Sequence, residues 1–487
     1  MIRYIPNDPT HAELARSERP AAPPKGSARI QISPAAPATP FPPGTDGYNY
    51  WQAEQALVYG LKAWKELAGA PLAAWEGGRR TLPVLLDVGQ DLNANYDRRA
   101  LNFYHYPLPT GRVFSCDSPD VTCHEQGHAL LDALRPDFWG APYLEIAAFH
   151  ESWGDCMAML VAFEDLAQCA AALEAGLDTD NLISNLAEEL AVAIAEGLGK
   201  PEFVDAPPPR AALRKARNHW RYTDPAALPP SGPARELQSE PHSFSRVFTG
   251  CFYDLIRNLV SGARLPSPAA LREGARLAGG LLIAAAQTVP VVPKFFQAVA
   301  DRMLQADAQL HQGLHAAALR AAFDRHGLTL GPPRKSLSIP LMADKKRVTA
   351  RNAAAALVVG SGAGVAFTNV RSQMHGDIAH VAAYQPEDVS GVHPSLAGVF
   401  MLVPATARLQ MARSSVVGVL GEPHALNEAA RLAAKHFVKA LIEFGNLEGD
   451  DALERPLPAR PARRPGPATH VIQTLNGKRT IVRARFA

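Results

Sequence analysis

Cysteine is scarce in this chain. Five of 487 residues are Cys, at Cys116, Cys123, Cys156, Cys169 and Cys251. An odd, scattered set excludes a dense disulfide framework and reads as reduced thiols. An excess of one charge is missing too: 49 Lys and Arg against 47 Asp and Glu leave +2. That balance lacks the concentrated basic surface of a nucleic-acid binder. Long apolar runs are also absent. The most apolar stretches, 277–292 and 353–367, are shorter than a membrane span, and Pro290 breaks the first. The segment from Met1 to Asp8 has no apolar signal-peptide core. These absences predict a soluble, cytoplasmic protein without nucleic-acid or membrane partners, and they leave oligomeric state open.

Proline, by contrast, is plentiful, with 42 residues, and it divides the chain. Residues 1–46 read as a Pro-rich extended arm without a core of its own, in which 28–33 could pair as one edge strand. Residues 47–330 read as one domain. It opens with a helix on which Ala53, Leu57, Leu61 and Trp64 recur at helical spacing. Strands follow at 83–88 and 101–104, and then apolar helical stripes at 121–134, 144–175, 181–197, 244–260, 268–288, 294–307 and 313–325. The Pro-rich stretch 207–233 interrupts them as a surface loop. Residues 340–450 form a further region, with strands at 397–403 and 415–420 and a helix at 426–444. Residues 451–487 read as a Pro/Arg-rich linker, 452–467, and a terminal β-hairpin turning at Asn476-Gly477. The expected class is α+β: a domain with a small N-terminal β part and a mainly helical remainder, plus an extra C-terminal α+β region.

Chemistry concentrates at 124–128, where His124, Glu125 and His128 make an H-E-x-x-H motif. On a helix, residues four apart share a face, so both imidazoles can reach one metal ion. Glu125 is turned aside, toward a metal-bound water. A satisfied core pair of histidines has the same spacing, so the motif needs support. A catalytic metal wants a third protein ligand. Downstream, Glu151 and Asp155 lie on one face of a second helix whose other residues are nearly all apolar or small. Glu151 can complete the triad, and Asp155 can accept a hydrogen bond from the distal nitrogen of a ligand histidine. The alternative is that the two carboxylates form the solvated face of an amphipathic helix.

The combination resembles the gluzincin metallopeptidases, in particular the thermolysin family. The resemblance implies Zn2+ held by His124, His128 and Glu151, with Glu125 as general base and Asp155 orienting His124. It also covers 93–104, similar to the edge strand that pairs with substrate, so that Asn93 would bind the substrate backbone. The segment opening at His242 resembles the one whose histidine stabilises the tetrahedral intermediate, and Ser245 and Tyr253 fall at matching spacings. Arg221 lies in a stretch resembling the one whose arginine binds the substrate carbonyl. Tyr143 stands one position from the family's second oxyanion-stabilising tyrosine. Leu237 replaces the carboxylate that orients the histidine, leaving Glu236 or Glu240 to substitute. Of the family's calcium ligands only Asp120 has a counterpart. The resemblance runs from about 48 to 328 and says nothing about 332–487. What it implies is a zinc endopeptidase acting on a peptide or protein substrate. The second reading is a catalytically weak protein of the same fold that binds or regulates through its C-terminal region.

Overall fold

Apolar side chains near the amino terminus fold back onto the helices. The computed structural model describes residues 1–42, 45, 47–109, 111–208, 211–261, 266–332, 338–340, 369–375, 378–412, 415–420, 427–451, 453, 457 and 468–486. Ile2–Tyr4 (β1) pairs antiparallel with Arg16–Glu18 (β2). Ile2, Tyr4 and Ile5 are buried. Gln52, on the helix Tyr48–Ala68 (α1), donates to Ile5 O and accepts from Ile5 N. The start of the arm thus shares the core of the next element, which satisfies its backbone.

Arg29–Ser33 (β3), Thr81–Leu85 (β4), Ala94–Tyr96 (β5) and Leu101–Phe103 (β6) form a sheet in the order β3-β4-β6-β5. β3, β4 and β6 run parallel, with β5 antiparallel on the edge. Leu82 and Val84 alternate inward along β4. α1 is the crossover that the parallel pair β3–β4 requires. His105–Leu108 (β7) and Gly111–Phe114 (β8) make a separate hairpin.

The helices then run Pro119–Leu134 (α2), Leu144–Phe163 (α3), Leu166–Ala175 (α4), Glu188–Val192 (α5), Pro241–Val260 (α6), Pro268–Thr288 (α7), Phe295–Leu310 (α8) and Ala316–Arg325 (α9). Pro119, Pro241 and Pro268 stand in the first turn of their helices, where no N–H is missed. Two expected helices come out differently. The stripe at 144–175 breaks between α3 and α4 with a bend of 102°, because Asp165 caps the second helix by accepting from Ala167 N. The stripe at 181–197 begins as a turn, since Asn181 Oδ1 takes the N–H groups of Ile183 and Ser184. It then holds the strand Asn185–Leu186 (β9), which pairs with Arg214–Lys215 (β10), before α5 begins. Among the described residues no single helix is long and apolar enough to cross a membrane.

The C-terminal region is a sheet of Ser338–Pro340 (β11), Asn369–His375 (β12), Ile378–Asp388 (β13), Val399–Ala412 (β14), Ser415–Leu420 (β15), Leu447–Glu448 (β16), His470–Leu475 (β17) and Lys478–Arg483 (β18), with the helix Glu428–Glu443 (α10). β17 and β18 form the hairpin expected around Asn476-Gly477, with φ of 50° and 75° at the turn. β18 also pairs in parallel with β14 at Val399–Met401. A second apolar cluster joins Phe437, Leu441, Ile472 and Ile481 to Leu144 and Ala147 of α3. The C-terminal region is therefore packed on the helix that carries Glu151. The apolar run 353–367 and the linker 452–467, apart from Leu453 and Leu457, lie outside the described residues. The chain is thus mixed α and β, compatible with the α+β class.

Candidate metal centre

α2 is buried almost throughout because the sheet, α1 and α3 enclose it. Its two histidines share a face, with ring centroids 4.7 Å apart and planes at 89°. The close approach of α3 depends on glycine. A Cβ on Gly127 would lie 3.0 Å from Gly154 Cα, and one on Gly154 would lie 2.6 Å from the His124 ring.

That approach brings Glu151 and Asp155 against α2. Glu151 Oε2 is 3.4 Å from His124 Nε2, and its Oε1 is 3.8 Å from His128 Nε2. Asp155 Oδ1 lies 3.0 Å from His124 Nδ1. His124, Glu125 and His128 can each turn one ligand atom to within 4.8 Å of the others, so this buried group could hold a metal ion. Glu125 Oε2 and both ring nitrogens of His128 are buried without a hydrogen bond.

Electrostatics follow from burial and from close neighbours. Burial pulls the His128 imidazole down to about 3, which keeps it neutral. Burial also opposes charge on His124, but hydrogen bonds to Asp155 and Glu151 carry it up to about 9. Burial lifts the Glu125 carboxyl to about 7, with His124 pulling the other way. Burial likewise acts upward on Glu151 and Asp155, yet both stay low: Glu151 beside His242 and His128, Asp155 beside Arg214.

His242 stands in the first turn of α6. Its Nε2 is 3.0 Å from Glu151 Oε2, and its Nδ1 is 2.8 Å from Glu240 Oε1. Glu240 also accepts from Ser243 N and so caps the helix. Of the two carboxylates open in the sequence, Glu240 is thus the one at the imidazole. A cavity of about 520 Å³ opens beside these groups, with Asn93, Glu125, Arg214 and His242 in its wall. Asn93 accepts from Ala94 N at the mouth of β5.

Two of the expected site residues lie elsewhere. Arg221 is exposed and donates to Arg325 O, outside the cavity wall. Tyr143 is buried at the N-cap of α3 and does not line the cavity either. The arginine at the centre is Arg214. Its Nη2 and Nε hold Asp155 at 2.8 and 3.1 Å, and Thr249 on α6 donates to the same carboxylate at 3.3 Å. β9–β10 pairing puts Arg214 there, and no motif surrounds it in the sequence.

No protein-family model matches the chain, and no curated protein matches it in sequence. The functional reading therefore stands on the geometry.

Proposed function

We propose that the protein is a zinc-dependent peptidase. The observation that carries this reading is the meeting of His124 Nε2, His128 Nε2 and the Glu151 carboxylate, with separations of 3.4 and 3.8 Å. Ligands at zinc distances in a tetrahedral site stand about 3.3–3.5 Å apart. Each buried polar atom left without a partner costs about 1–3 kcal/mol, and the orphaned Nε2 of His128 is relieved by a cation at that point. Nitrogen and carboxylate donors in this number suit zinc. Glu125 is near enough to compete as third ligand. Glu151 is the better assignment, because Glu125 follows His124 directly on the helix and is turned about 100° away from it.

Zinc held by His124, His128 and Glu151 would supply Lewis-acid activation of water and of the scissile carbonyl. The chain's own groups do the rest. Glu125, already lifted by burial to about 7, takes the proton of the attacking water and delivers it to the leaving amine. His242, oriented through Nδ1 by Glu240, donates from Nε2 to the developing oxyanion. Asp155, clamped by Arg214 and Thr249, fixes the tautomer of His124. Asn93 aligns an extended peptide along β5.

The test is metal content and peptide hydrolysis of the wild type beside Glu125→Gln. The variant is expected to keep one zinc per chain and lose nearly all turnover. A wild type that takes up no zinc would sink the reading, and equal turnover would remove Glu125 as the base.

A further inference from the structure

The sheet edge beside the candidate metal centre is open for only part of its length. β5 pairs with β6 on one side, which leaves outward N–H and C=O groups for another strand. At its Tyr96 end the chain itself takes them. Phe486 donates its N–H to Tyr96 O at 2.9 Å and accepts from Tyr96 N at 3.1 Å, as an antiparallel pair.

The Phe486 side chain then fills the space toward the metal centre. It is 2% exposed. Its ring stacks on His150 with centroids 3.9 Å apart and on His128, a candidate ligand, at 5.0 Å. Trp139 meets it edge-on at 5.2 Å, and the Arg483 guanidinium lies 4.0 Å from its centroid. The segment is anchored. Arg483 Nε donates to Trp139 O at 3.0 Å, Trp139 Nε1 donates to Arg483 O at 3.2 Å, and Ala484 N donates to Thr469 O at 2.8 Å. Just behind it, β18 is paired with both β17 and β14. Displacing Phe486 would expose a ring that buries on the order of 150–250 Å² and break two backbone hydrogen bonds. At the other end of β5, Asn93 and Ala94 face the open cavity with Glu125.

We infer that Phe486 is a specificity-determining residue that closes the Tyr96 end of the substrate edge, so that the enzyme trims peptides with few residues on the amino side of the scissile bond. The inference rests on the peptidase reading and narrows it from endopeptidase to exopeptidase. A peptide antiparallel to β5, as Phe486 itself is, points its amino end toward Tyr96. There it meets backbone groups already in use and an aromatic ring against His128. Its carboxyl side runs out past Asn93 into open space.

The test is a peptide ladder with one common scissile bond, extended stepwise at either end, given to the zinc-loaded wild type and to Phe486→Ala. For the wild type, kcat/KM should fall about tenfold or more as the amino side lengthens from two to four residues, and Phe486→Ala should shrink that fall to about threefold or less. Extension at the carboxyl end should change little in either protein. A flat wild-type ladder, a fall on the carboxyl side instead, an unchanged fall in the variant, or a gain that is equal at every length overturns the inference. Phe486→Leu keeps an apolar anchor should the alanine variant fail to fold, and it should give an intermediate fall. The same ladder titrated calorimetrically into zinc-loaded Glu125→Gln, with and without Phe486→Ala, needs no turnover. Length-dependent affinity that Phe486→Ala abolishes, without cleavage by the wild type, upholds the closed edge and removes the peptidase reading. Affinity independent of length overturns the closed edge, and no binding at any length overturns both.

Discussion

Gly154 gives the ring of His124 its place: a Cβ at this position would lie 2.6 Å from Cε1 and Nδ1 of the imidazole. The ring cannot yield without leaving Asp155, which holds its Nδ1 at 3.0 Å. Gly154→Ala should therefore act on the metal before it acts on the fold. Alanine gains up to about 1 kcal/mol of helix propensity over glycine, against about 1–3 kcal/mol for overpacking. The thermal midpoint is expected to drop modestly while zinc affinity falls at least tenfold. Competition with a chelator, read beside circular dichroism, checks both. Wild-type zinc affinity in the variant would show that His124 has another position open to it.

Arg214 acts through Asp155. Without it the buried carboxylate keeps, among the described residues, His124 and Thr249 as hydrogen-bond partners and loses the charge that holds it low. Arg214→Ala is expected to cost about 10–100-fold in zinc affinity, the usual effect of removing a group that supports a metal ligand. Arg214→Lys should restore the charge but not the fork, since ammonium lacks the planar pair of donors. It should recover only part of the loss. Zinc titrations of the two variants at one pH separate these contributions.

The grouping of the candidate metal ligands was legible in the sequence because these residues sit on two consecutive helices, where periodicity alone decides which side chains share a face. His124 and His128 repeat at four, and so do Glu151 and Asp155, and the turn between the helices brings the pairs together. Arg214 was illegible for the opposite reason: it reaches Asp155 from a two-residue strand in a Pro-rich stretch. Register within a resembling segment pointed to Arg221, but β9–β10 pairing decides which arginine faces inward. Phe486 is a still more distant case, since its pairing with Tyr96 joins segments far apart in the sequence with no local signal in either. The C-terminal hairpin was legible from Asn476-Gly477, whereas β12 and β13 were not anticipated. The break at Asp165 had a readable signal, a capping residue before a new apolar run, which the continuous apolar stripe concealed.

His242 and Glu240 can be separated by two substitutions. His242→Ala removes the proposed oxyanion donor and should lower kcat by about 10²–10³, with zinc content unchanged. Glu240→Gln keeps an oxygen to cap α6 at Ser243 N but removes the carboxylate that faces His242 Nδ1 at 2.8 Å. A smaller loss of kcat is expected, because the imidazole keeps its place on α6 but loses the carboxylate that orients it. Wild-type kcat in Glu240→Gln would mean that Glu240 serves only as a helix cap.

The last prediction concerns the amino-terminal segment, which is tied to α5 by His11. Burial disfavours charge on this imidazole, but the hydrogen bond and charge of Glu188, at 2.6 Å, with Glu13 at 3.1 Å, raise it to about 9. A histidine raised on folding stabilises the native state through its charged form. That stabilisation is complete below the unfolded value near 6.5 and is lost as pH rises through about 9. The side chain is 22% exposed, so solvent screening trims the effect to on the order of 1–2 kcal/mol. Denaturant unfolding of wild type and His11→Gln should show the wild type ahead by that amount at pH 6. The gap should narrow steadily above pH 7 and close by about pH 10. A gap that stays constant across this range would place the stabilisation in packing and remove the His11–Glu188 ion pair as its cause.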